Sequence, residues 1–160
     1  MRIIRSDDYA EEIQALDALC FRPQDAEPVG LDGDRDVWVA LDGDTVVGYL
    51  VAQAHQAGPD RHADGSARAY TRHYLDRYGV HPEHAGRGIG KRLCRAWLRH
   101  AAKRPGWAWT YTYSHNAQSA NALIHMGFRA WQTRQVPATL GDPGGYAPME
   151  RFCMWRRVIA

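Results

Sequence analysis

Between a β-rich run and a helix the chain reads Val80-His81-Pro82-Glu83-His84-Ala85-Gly86-Arg87-Gly88-Ile89-Gly90-Lys91. The run before it, Tyr70 to Val80, is predicted as a strand. The segment after it, Lys91 to about Lys103, carries Leu93, Cys94, Trp97, Leu98 and Ala101 on one helical side. A strand passing through alternating glycines straight into an amphipathic helix implies a layered α/β fold, with the helix laid over the sheet. The junction presents backbone N–H groups at a helix start, where the dipole adds roughly half a positive charge. Glycine allows φ > 0 and close approach of an anion, both of which a Cβ would block. A phosphate or pyrophosphate fits such a turn without side-chain cations. Arg87 and Lys91 can add charge.

Two familiar phosphate loops are excluded by spacing. G-x-x-x-x-G-K-[ST] is absent, and Gly86, Gly88 and Gly90 do not fit G-x-G-x-x-G.

The remaining elements follow from periodicity. Ile3-Ile4 opens a short strand, and Ser6 is placed to cap a helix bearing Ala10, Ile13, Leu16 and Leu19-Cys20. Val37–Leu41 and Thr45–Val51 form a hairpin across Asp42-Gly43-Asp44. Phe21–Gly30 and Pro137–Pro148 read as loops, as does Ala57–Ala69 with its Gly58-Pro59-Asp60. In the strand ending at Val80, alternation puts Tyr74, Asp76 and Tyr78 on one face and Leu75 and Arg77 on the other. Trp107–Tyr113 alternates aromatic and small residues as a strand whose aromatic face packs a helix. Asn116–Met126 is a helix stopped by Gly127. Phe128–Val136 and Phe152–Ile159 are the last strands. The order β-α-β-β-β-α-β-α-β-β makes a mixed α/β layer fold in one domain, residues 1–160.

Composition narrows the function. Twenty Lys+Arg against eighteen Asp+Glu give +2, too balanced for a general nucleic-acid binder. No apolar run is long enough for a membrane span, and no secretory h-region follows Met1. Cys20, Cys94 and Cys153, odd in number and widely spaced, suit reduced thiols in a cytoplasmic protein. Cys94 lies on the apolar side of its helix. His81-x-x-His84 lacks partners at zinc spacing, so no metal is expected.

Val80-His81-Pro82-Glu83 with Gly86-Arg87-Gly88-Ile89-Gly90 and the following helix resembles the acetyl-CoA signature of the GNAT superfamily of N-acetyltransferases. Asn116, Ser119 and Ala122, then Met126-Gly127-Phe128, resemble that family's second signature, about thirty residues on. The element order matches over nearly the whole chain. The resemblance implies a mixed, mostly antiparallel sheet of six to seven strands flanked by three to four helices. It also implies acetyl-CoA as acyl donor. The pantetheine arm would pair with Tyr78, Gly79 and Val80 where that strand splays from Trp107–Tyr113. The pyrophosphate would lie on the amides from Gly86 to Lys91, with Arg87, Gly88, Ile89, Gly90 and Lys91 in contact. Asn116 would hydrogen-bond the pantetheine. Two departures stand out: Ala85 replaces the usual Gln or Arg, and Leu123 replaces the usual acid, a Tyr.

The reaction so implied is direct attack of a primary amine on the thioester in a ternary complex. An alkyl amine with a pKa of about 10.4 is nearly all ammonium at neutral pH, so a base is useful. Asp76 is the first candidate; its alternative is an ion pair with Arg77, Arg72 or another cation. For the acid in place of Leu123, Tyr111, Tyr113, His125 and Ser119 are nearest in sequence. The acceptor is a small-molecule or peptide amine. Asp25, Glu27, Asp60, Asp64, Asp142 and Glu150 near the variable segments favour a cationic one, such as an aminoglycoside, polyamine or peptide N-terminus. Two rival readings stay open: a non-catalytic acyl-CoA sensor or scaffold, and acylation of an amine on nucleic acid. The latter would use the basic helix face Lys91, Arg92, Arg95, Arg99, His100, Lys103 and Arg104. The last strand and the loop before it are the place to look for a homodimer contact.

Overall fold

A computed structural model describes residues 1–21, 29–31, 33–61, 67–104, 106–113, 116–135 and 150–158. The elements are β1 (Arg2–Arg5), α1 (Ala10–Cys20), β2 (Arg35–Asp42), β3 (Thr45–Arg61), β4 (Ala67–Val80), a 3₁₀ turn (Pro82–His84), α2 (Ile89–Ala101), β5 (Gly106–Tyr113), α3 (Ala117–His125), β6 (Arg129–Gln135) and β7 (Glu150–Val158). Their order is the predicted one. The strands form one seven-stranded sheet, β1-β2-β3-β4-β5-β7-β6. All neighbours are antiparallel except β4 and β5, the pair that α2 joins. Parallel neighbours need such a crossover. The predicted fold class is therefore the one observed.

Each face of the sheet has its own core. On one, Leu93, Cys94 and Trp97 of α2 pack with Leu50, Ala52, Leu75, Ala108, Leu123 and Phe128. Trp97 is fully buried and lies nearly parallel to Phe128, with centroids 6.5 Å apart. After α3 the chain turns at Gly127 (φ +85°), and the Phe128 amide donates to Leu123 O at 3.1 Å. The Gly-Phe pair thus ends the helix and drives an aromatic ring under α2. On the other face, Ile13 and Leu16 of α1 pack with Val37, Val39, Tyr49 and Val51. The apolar stripe of α1 also contains Asp17, 3% exposed. Its carboxylate accepts from the Tyr49 hydroxyl and, at 2.9 Å, from Arg77. A buried acid needs such partners.

Four expectations are corrected. Ser6 does not cap α1: its hydroxyl is engaged with Asp8, and the helix starts at Ala10 without a side-chain cap. The span Ala57–Ala69 is not all loop, because β3 continues to Arg61 and β4 begins at Ala67. A register shift between Ala57 and Asp60 absorbs Gly58-Pro59. Bulges are where a sheet tolerates a proline, which lacks an N–H. The alternation in β4 is broken by a second bulge: Val51 pairs with Arg77 and Ala52 with Leu75, leaving Asp76 as the extra residue. Leu75 and Tyr78 consequently both pack on the α2 face. Tyr74 no longer shares a face with Tyr78. Finally, the helix-packed side of β5 is the small one. Ala108, Thr110 and Thr112 are buried, while Tyr111 is exposed. Phe21–Gly30, apart from its ends, and Pro137–Pro148 lie outside the described residues.

His73 of β4 is fully buried. Its Nε2 lies 3.3 Å from Arg104 O, and its Nδ1 has no hydrogen-bond partner among the described residues. Burial pushes its pKa below the ordinary histidine value, and burial does the same to His100. The unfolded chain, with histidines near about 6.5, then takes up protons before the folded one. Stability is full above that pH and is lost as pH falls below it. Urea midpoints are expected to drop between about pH 7.5 and pH 5, and His73→Leu to flatten the drop. An identical slope in that variant would remove His73 as the cause.

Candidate active site

The glycine turn adopts the conformations its sequence requires. Gly86 and Gly88 have φ of +75° and +73°, and Gly88 caps α2. The first bond of the helical ladder is from the Arg92 amide to Gly88 O, 3.1 Å. The amides of Ile89, Gly90 and Lys91 thus precede the ladder, as helix starts require. A Cβ on Gly86 or Gly88 would meet no atom within 4 Å. The turn therefore faces open space that only a side chain or a ligand would fill. Arg87 and Lys91 are exposed beside it.

The end of β4 stands next to this turn. A Cβ on Gly90 would lie 3.5 Å from Tyr78 Cε2 and 3.8 Å from Val80 Cγ2. Tyr78, Val80 and the start of α2 therefore form one wall. The Tyr78 hydroxyl is near Ser119 of α3, and burial raises its pKa. Asn116 caps α3, its Oδ1 accepting the Ser119 amide at 2.9 Å. This use of the oxygen leaves the Asn116 NH₂ group outside the cap. Gly79 packs against Tyr49 and Cys20 on the opposite face.

Between β4 and β5 the sheet opens. Their parallel register runs only from Thr71–Gly106 to Tyr74–Trp109. Beyond it Leu75–Val80 and Thr110–Tyr113 go separate ways, and β5 stays paired with β7 through Tyr113. The splay expected from the resemblance is present.

On the α1 face of this opening are Tyr74, Asp76 and Tyr111. The Asp76 carboxylate, about a third exposed, is ion-paired with Arg35 of β2. Arg35 shares strand parity with Val37 and Val39, whose side chains enter the α1-side core, so the pair lies on that face. The bulge leaves the Asp76 position without a partner on β3. Tyr74 is 4.4 Å from Trp109 between centroids, and 6.1 Å from Tyr111 in a near-parallel stack at 17°.

The other expected residues are more scattered. His125 is exposed at the end of α3, its Nδ1 2.9 Å from Asn121 O in its own helix. Leu123 is buried in the α2-side core. Tyr113 ends β5, and its side chain lies outside the described residues, as do those of the acids Asp25, Glu27, Asp60, Asp64, Asp142 and Glu150. Three neighbours were not legible in the sequence: Arg35 at Asp76, Ser119 near Tyr78, and Cys20 at Val80. Cys20 Sγ donates to Val80 O at 3.3 Å, and burial raises its pKa. All three join elements far apart in the sequence, one through sheet order and two through helix packing. Among the described residues no three His, Cys, Asp or Glu side chains converge as a metal site. No helix among them is long and apolar enough to cross a membrane.

A glycine-turned helix start beside a splayed β4–β5 pair is the arrangement of an acyltransferase. Residues 2–128 match the family model described as Acetyltransferase (GNAT) family, and the chain belongs to that family. Among solved structures it is similar to Arabidopsis thaliana NAA60 in complex with acetyl-CoA, at 15% identity over 98% of both chains, TM-score 0.74. It is also similar to nourseothricin acetyltransferase, at 23% identity over 98% of both chains, TM-score 0.70. The ribosomal-protein-S18-alanine N-acetyltransferase of Escherichia coli aligns at 14% identity over 99% of this chain and 94% of that one, TM-score 0.70. No curated protein sequence matches the chain.

Proposed function

We propose that the protein moves an acetyl group from acetyl-CoA to a primary amine by direct attack within a ternary complex. The observation that carries this reading is the opening between β4 and β5, with different chemistry on its two faces. On the α2 face are the glycine turn, Tyr78 and Val80. On the α1 face are Asp76 and the Tyr74–Trp109–Tyr111 aromatic group. Donor and acceptor can therefore enter from opposite sides and meet in the gap.

The residues fit the donor. The amides of Gly88 to Lys91 would hold its pyrophosphate, with Arg87 and Lys91 alongside, and the parted backbone of Tyr78 to Val80 would accept the pantetheine arm. Asn116 would donate from its amide nitrogen, which the cap does not use. Acetyl-CoA supplies an activated thioester carbonyl. Asp76, fixed by Arg35, receives the proton of the acceptor ammonium directly or through one water. Tyr111, beside Tyr74 on this face, would return a proton to the departing thiolate. The acceptor is a cationic amine, because stacked aromatic rings beside a carboxylate attract a cation. The neighbours named for nourseothricin and for a ribosomal-protein alanine are in keeping with an amine acceptor.

Calorimetric titration with acetyl-CoA, followed by thiol release across aminoglycosides, polyamines and peptides, tests the proposal. Binding with amine-dependent release is expected; binding without turnover on any amine would favour the sensor reading. Gly88→Ala is the sharper probe. Holding alanine at φ +73° costs about 1–2 kcal/mol, which leaves the protein folded. Its methyl would stand in the open space before the turn, so acetyl-CoA affinity should fall at least about tenfold. Unchanged affinity would move the donor away from the turn.

A further inference from the structure

We propose that the groove between α2 and the edge strand β1 is a second anion site, for a small ligand carrying two or three linked phosphates. The groove has a volume of about 330 Å³, and Arg2, Arg92, Arg95 and Arg99 line it with Met1 and Ile3. That volume is at the lower end of small-ligand pockets. Arg92, Arg95 and Arg99 recur at helical spacing along α2 and share a face. From first to last they cover about 10 Å of axis, a span matched to a short polyphosphate rather than to a single anion.

Four arginines gather here with no acid among the residues that line the groove. Helix α2 contains Lys91, Arg92, Arg95 and Arg99 and no acid. Elsewhere Arg5 and Arg104 meet Asp36, Arg35 meets Asp76, and Arg77 meets Asp17. Arg2, Arg92, Arg95 and Arg99 pair with no carboxylate among the described residues. Arg92 is also tied across the groove, donating to Met1 O at 3.3 Å. Guanidinium forks match phosphate oxygens two at a time, which makes arginine the side chain for this ligand.

The groove continues from the glycine turn along the β1 side of α2: Arg92 directly follows Lys91, and Arg95 and Arg99 lie about 6 Å and about 12 Å beyond Lys91 along the helix axis. The glycine turn itself abuts Tyr78 and Val80 of β4. The inference does not depend on the proposed acyl transfer.

The test is calorimetry with inorganic tripolyphosphate at low salt, on the full chain with acetyl-CoA saturating. One tripolyphosphate per chain is expected to bind, at least about tenfold more weakly in Arg95→Glu/Arg99→Glu, with acetyl-CoA affinity unchanged. A nucleoside triphosphate run in parallel shows whether a base adds affinity. Equal binding by wild type and variant would overturn the proposal, as would exclusion of tripolyphosphate by acetyl-CoA. Binding of single-stranded oligonucleotides but not of tripolyphosphate would also overturn it, in favour of a nucleic-acid surface. Both arginines are exposed on α2, so a matching melting temperature will confirm that the variant is folded.

Discussion

Asp76→Asn is expected to lower turnover by about 10² to 10⁴, the usual contribution of a positioned base, while acetyl-CoA affinity stays within about twofold. The amide preserves size and still accepts from Arg35, but it cannot take a proton. Asp76→Ala would lose both functions and should be at least as slow. Arg35→Ala would leave the carboxylate present but unplaced, so a smaller loss is expected, because Arg35 acts only through Asp76. Steady-state kinetics of the three variants with the best amine from the screen separates these roles. Full activity in Asp76→Asn would reduce Asp76 to a structural partner of Arg35, and the base would have to be sought elsewhere on the α1 face.

The largest stability effect is expected from Asp17→Ala. The carboxylate is 3% exposed and holds both the Tyr49 hydroxyl and the Arg77 guanidinium. Removing one partner of a buried ion pair leaves the other charge uncompensated, at about 3–5 kcal/mol. For a chain of this size that lowers the melting temperature by about 10 °C or more. Tyr49→Phe removes only one hydrogen bond and should cost about 1 kcal/mol. Burial and then the neighbouring Asp17 push the Tyr49 hydroxyl far above the ordinary tyrosine value, so it remains a donor at any working pH. Urea denaturation of the two variants checks the ranking. A loss below about 1 kcal/mol in Asp17→Ala would mean that Arg77 finds water instead.

Element order was readable because period and punctuation are local. Leu93, Trp97 and Ala101 announce α2, and Gly127 marks the stop of α3, without any knowledge of neighbours. The glycine turn was readable for the same reason: its φ values are properties of a few adjacent residues. Asp76 as a point of interest was legible, but its partner was not. Arg35 is 41 residues away and reaches Asp76 only through the pairing of β2 with β3 and β3 with β4. The bulge at Asp76 was invisible too, since strict alternation reads equally well on either side of an inserted residue. Gly58-Pro59 misled in the opposite direction. These residues usually break structure, yet a register shift accommodates them in a long hairpin. Sequence alone points the aromatic face of β5 at a helix because large apolar rings usually seek the core. In this sheet the close approach of α2 is made over Ala108, and the rings face the other way.

The sheet also works as a partition. Among the described residues, Tyr78 and Val80 pack on the core beneath α2, while Tyr74 and Asp76 stand on the α1 side; the two sides meet at the gap after Tyr74 and Trp109. On the proposed reading, changes to Tyr74, Tyr111 or the surroundings of Arg35 would retune which amine is accepted without repacking the donor side. A scaffold divided in this way can acquire new acceptors one face at a time, and the same donor chemistry can be kept throughout.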